Sequence, residues 1–61
     1  MKTYYARGVG YDRTTQTEKF FEIAFDVEYV DAVNFSLEYR EALKAARGLE
    51  LVKTEYIIVL S

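Results

Sequence analysis

The residues of this chain that could do chemistry are carboxylates, bases and hydroxyls. Glu22, Asp26 and Glu28 recur at even spacing along an extended-looking segment, which sets Glu22 and Asp26 about 13 Å apart and Asp26 and Glu28 about 6.6 Å apart at about 3.3 Å per residue. The second spacing suits a carboxylate pair or a hard-cation site. General acid–base work also needs a shielded pocket that raises one pKa, and a chain of 61 residues has little depth for one. A solvated charge row is the expected reading. A second set, Arg40, Lys44 and Arg47, recurs at helical spacing and reads as a short basic stripe facing away from a core, a possible face for an acidic partner. There is no His and no Cys. That removes Ser-His-Asp and Cys-His nucleophilic sites, thiol redox centres, disulfides and His- or Cys-ligated metals. The expectation is a protein that is not an enzyme and uses no cofactor or metal.

Gly8 and Gly10 form a G-x-G, but they precede Tyr11 and a polar loop rather than a helix N-terminus, so a phosphate cradle is not expected. Close backbone packing is the better account of them. Arg7-Gly8-Val9-Gly10-Tyr11 partly resembles the RNP1 stretch of RNA-recognition domains, in which a basic residue and Gly precede base-stacking aromatics. Val9 stands where that motif places an aromatic. The second helix and fourth strand of that fold are also missing, and the net charge is −2.

These residues have to be positioned by few elements. Residues 4–11 are aromatic-rich and end in the polar stretch 12–17, which predicts a strand and a hairpin loop. Over 19–28, Phe21, Ile23, Phe25 and Val27 alternate with Glu22, Ala24, Asp26 and Glu28, the period of a strand with one apolar face. Over 34–47 the period changes: Ala32, Phe35, Tyr39, Ala42, Leu43 and Ala46 fall on one arc of a helix. Ser36 or Asn34 is its expected N-cap, and Gly48 its expected C-terminal stop. Residues 49–60, rich in Val, Ile, Leu and Tyr, predict a third strand, while 29–33 are open between strand, bulge and helix start.

No Pro, repeat or linker divides the chain, so residues 1–61 read as a single domain. The expected fold is α+β, a ββαβ unit whose three-stranded antiparallel sheet has order 2-1-3 and one helix packed on one face. Order 1-2-3 is the alternative. Phe21, Ile23, Phe25, Val27, Val52, Tyr56, Ile58 and Leu60 are expected under the helix, with Ala6, Gly8 and Gly10 beside them. Alternation then leaves Tyr5, Arg7, Val9, Tyr11, Phe20, Glu22, Ile57 and Val59 on the other face, an apolar patch with a charged rim of the kind that marks an interaction site.

Hydrophobic residues make up 51% of the chain, enough for a folded core, yet domains this small are marginal alone and often gain stability by association. A homodimer is expected, and beyond it a protein partner. The function expected is that of a non-enzymatic protein–protein interaction module, an inhibitor, adaptor or accessory factor acting through the apolar sheet face. The alternative is single-stranded nucleic-acid binding by the sheet aromatics and the basic helix face, which the net charge disfavours. A phage or mobile-element inhibitor of a host protein fits the same economy of size. No apolar leader or membrane-length segment is visible, so a cytoplasmic location without membrane attachment is expected.

Overall fold

A computed structural model describes residues 1–28 and 31–61. Its elements run β1 (Lys2–Asp12), β2 (Thr17–Val27), α1 (Ala32–Arg47) and β3 (Glu50–Val59). The sheet is antiparallel throughout with order β2-β1-β3, and α1 packs on one face of it, a small α+β fold. Tyr29 and Val30, part of the segment left open by the sequence, lie outside the described residues.

The hairpin between β1 and β2 is held by Asp12, whose carboxylate accepts from the backbone N–H groups of Thr14 and Thr15 at 2.9 and 3.4 Å and from Lys19 Nζ at 3.0 Å. Lys19, and after it the two amides, hold the Asp12 carboxyl below the usual carboxylate range. Register runs without slip from Lys2↔Val27 to Asp12↔Thr17. Phe21, Ile23, Phe25 and Val27 are therefore all buried on the same side as Tyr4 and Ala6. Alternation alone dictates that grouping.

Above this face lies α1. Tyr39 and Leu43 are buried in it and Phe35 and Ala42 partly so, which is the spacing expected of a helix with one apolar stripe. Phe25 is the hub: its ring stacks on Tyr39 at 5.0 Å and on Tyr4 at 5.8 Å, and Phe35 closes the cluster edge-on to both Phe25 and Tyr4. Such pairs stabilise beyond their buried area by about 0.5–1.5 kcal/mol each. Tyr39 keeps its hydroxyl satisfied on Thr54 Oγ1 at 2.8 Å, while burial pushes its pKa up.

The helix starts earlier than the sequence reading placed it. Its N-cap is Asp31, not Ser36 or Asn34; the Asp31 carboxylate accepts from the N–H groups of Val33 and Asn34 at 3.1 and 2.9 Å, and Asn34 is already in the first turn. Gly48 ends the helix at φ 67°, a left-handed conformation that glycine adopts without a Cβ penalty, and its N–H reaches the Lys44 carbonyl.

The third strand corrects the sequence reading most. Tyr56 and Ile58, expected under the helix, pair with Arg7 and Tyr5 and stand on the opposite face. Ile57 and Val59, expected on the open face, pair with Ala6 and Tyr4 and belong to the helix side, where Ile57 packs partly buried against the core. Val52 and Leu60, also expected under the helix, are exposed. Two register shifts cause this: the pairing passes from Tyr56 to Thr54 between Arg7 and Gly8, and from Lys53 to Leu51 between Val9 and Gly10. Glu55 and Val52 are the extra residues. β3 presses on β1 here. A Cβ on Gly8 would collide with the Lys53 carbonyl oxygen and lie 3.0 Å from Thr54 Cα, and one on Gly10 would come within 2.7 Å of Leu49 Cβ. The two glycines are thus what lets the bulged strand approach.

Candidate functional site: the open face of the sheet

Opposite the helix, the sheet presents alternate residues of all three strands. From β1 come Tyr5, Arg7, Val9 and Tyr11, from β2 Phe20, Glu22 and Asp26, and from β3 Lys53, Tyr56 and Ile58. Pairing sets Val9 between Phe20 and Lys53, and Arg7 between Glu22 and Tyr56. The apolar members are not shielded: Phe20 is 76% exposed, Ile58 48% and Tyr56 46%.

Polar groups on this face satisfy one another across strands. Tyr5 donates its hydroxyl to the Glu22 carboxylate, Thr3 Oγ1 donates to Asp26 at 2.6 Å, and Arg7 Nε meets Glu55 Oε1 at 3.1 Å. The hydrogen bond to Glu22, with a smaller desolvation effect, pushes Tyr5 up to about 12. Tyr56, followed by Glu55, raises Arg7 as well. The rings of Tyr5 and Tyr56 lie 6.1 Å apart, bringing an aromatic pair beside an ion pair. These are exposed contacts that fix side-chain directions more than they add stability.

Glu22 and Asp26, candidates for a carboxylate device, are committed to Tyr5 and Thr3 on an exposed face. Among the described residues, no group of three Asp or Glu gathers in a geometry that could hold a metal ion. A depression of about 230 Å³ on this face, lined by Val9, Glu18, Lys19 and Phe20, is open to solvent.

Six of the residues singled out from the sequence, Tyr5, Arg7, Val9, Tyr11, Phe20 and Glu22, share this face. Ile57 and Val59 do not. Tyr56 and Ile58 take their place and were missed. The signal that could have found them is weak, because Tyr56-Ile57-Ile58-Val59-Leu60 is apolar on both alternations. The basic stripe also divides. Arg47 turns back to the sheet and donates to the Glu22 carbonyl at 3.1 Å, whereas Arg40 and Lys44 border an open depression of about 420 Å³ beside Leu49, Glu50 and Leu51, between α1 and β3.

No family model, curated protein or solved structure matches the chain. Among the described residues no helix is long and apolar enough to cross a membrane.

Proposed function

We propose that this protein is a non-enzymatic interaction module whose open sheet face docks another protein, as an inhibitor, adaptor or accessory factor would. The observation that carries this reading is the exposure of Phe20 on β2 and of Tyr56 and Ile58 on β3, on the same face of the sheet. An antiparallel sheet facing water normally shows polar residues there. The face mixes apolar and aromatic contact area with polar groups that already have partners, Arg7 with Glu55 and Glu22 with Tyr5, a combination suited to a protein interface. Single-stranded nucleic acid is a poorer fit. Arg40 and Lys44 lie on the helix, across the sheet from the aromatics, so one strand cannot engage both, and Glu22, Asp26 and Glu55 would face its phosphates.

The test is photocrosslinking in the native host, with a photoreactive phenylalanine analogue replacing Phe20 on the open face or Leu37 on the helix. A discrete adduct at position 20, lost when Tyr56→Ala is added and absent at position 37, supports the proposal. Adducts that form only at 37, or an adduct at 20 that consists of nucleic acid, would overturn it.

A further inference from the structure

The two outer edges of the sheet are finished differently. Along β2 the helix supplies caps: the Glu38 carboxylate accepts from the Glu28 N–H at 3.1 Å, just past the strand end, and Arg47 donates to the Glu22 carbonyl at 3.1 Å. Along β3 no described residue does this; the backbone–backbone hydrogen bonds at its end, outside the ladder, are those between Thr3 and Leu60 and Ser61 on the inner side. Thr3 therefore turns its backbone toward β3, and in an antiparallel ladder so do the alternate residues Tyr5, Arg7, Val9 and Tyr11. Their partners turn inward to meet them. What remains aimed at the open edge is the backbone of Leu51, Thr54, Ile57 and Val59, all with side chains on the helix side.

The bulges make this edge self-complementary. From Leu51 to Thr54 and from Thr54 to Ile57 the chain advances by the same number of residues, and each interval contains one extra residue, Val52 in the first and Glu55 in the second. We propose that β3 pairs antiparallel with β3 of a second copy, about a two-fold axis through Thr54, forming one continuous sheet across the two chains. The open face used for partner docking is left free and is doubled in width, so the inference stands apart from the identity of any partner.

Charge and shape select this register. Centred on Thr54, the pairing sets Lys53 opposite Glu55 of the second copy, and by symmetry Glu55 opposite Lys53. It sets Ile57 of the second copy opposite Leu51 and Val59 opposite Leu49. Leu49 and Leu51 line the depression between α1 and β3, and Val59, 56% exposed in a single copy, supplies an apolar side chain to fill it. Centring on Lys53 instead would oppose lysine to lysine. Centring on Glu55 would oppose Glu55 to itself and set helix-side Ile57 against Lys53 of the other face. Bulges ordinarily blunt an edge against strand addition; here only a strand with the same bulge spacing fits, which points to the chain's own copy.

The experiment is sedimentation of the full chain at about 100 µM, well above micromolar dissociation constants. A mass of two chains is expected. Lys53→Glu, which sets a second carboxylate against Glu55 at both symmetry-related positions, should weaken association about tenfold or more, and combining it with Glu55→Lys should recover most of that loss. Val59→Lys should keep the circular dichroism of the folded chain yet weaken the dimer at least about tenfold, because it brings a cation to Arg40 and Lys44 of the other copy. A single-chain mass at that concentration overturns the inference. So does any dimer that Val59→Lys leaves intact, including one that Phe20→Ala dissociates, which would join the open faces instead. If photocrosslinking at position 20 fails while these results hold, the partner reading falls and the edge pairing survives.

Discussion

β2 and β3 flank the same central strand, yet one is finished and the other is not. β2 pairs without slip, buries every second side chain from Phe21 to Val27 beneath α1, and has its outer edge met by Glu38 and Arg47. β3 carries two bulges, buries Leu51 and Ile57 only in part, and leaves Val52, Tyr56, Ile58 and Val59 exposed. The helix is the reason: it lies closer to β2 than to β3. One helix cannot cover three strands, so its placement decides which strand holds the core and which one is left exposed.

The sharpest way to break that contrast is to remove the same side chain from each strand. Ile23→Ala, in the buried row of β2, should destabilise by about 2–5 kcal/mol, a large part of what so small a domain has. Ile58→Ala on β3, half exposed, should cost less than about 1 kcal/mol. Urea unfolding of the two variants measures both values, and equal losses would refute the asymmetry. Next in size is Gly8→Ala. Its Cβ would meet the β3 backbone, so a loss of about 1–3 kcal/mol is expected, with thermal unfolding as the readout. Gly48→Asn, at the left-handed helix end where no atom crowds a Cβ, should be much milder.

Asp31→Ala removes the N-cap of α1 and should lower stability by about 1 kcal/mol, whereas Ser36→Ala should change little, since Asp31 supplies the cap. The pair is read by chemical denaturation. A smaller effect separates the open face by pH. Tyr5 has a folded pKa of about 12 against an ordinary value of 10.0, chiefly because its hydroxyl bonds Glu22. A raised pKa means the folded state holds the proton more tightly. Its contribution is therefore complete below pH 10 and is lost as the pH climbs from 10 toward 12. Tyr5→Phe should flatten the decline of stability over that window, leaving the part due to Tyr39, whose pKa burial also raises. Spectrophotometric titration of tyrosinate follows the same step directly.

What could be read from the residues depended on how unambiguous each alternation was. Phe21 to Val27 admits one face only, because Glu22, Asp26 and Glu28 cannot share the core with the aromatics. The open-face set of β1 and β2 followed from that. Residues 49–60 admit two faces, and the choice fell on the wrong one for Tyr56, Ile57, Ile58 and Val59. The Asp31 cap was hidden for a different reason: several cap-forming residues, Asp31, Asn34 and Ser36, stand close together, and the first turn is decided by where the chain leaves the sheet.

The linear chain thus determined the elements, their order and the buried rows of β2 and α1, since periodicity of apolar residues is a local property that survives without tertiary context. Only the folded sheet decided which way β3 faces, which edge the helix protects, and which aromatics remain outside. Those outcomes turn on the bulges beside Gly8 and Gly10 and on the offset of a single helix. Both arise from contacts between residues distant in the chain, and each inserted residue reverses the side on which the following residues stand.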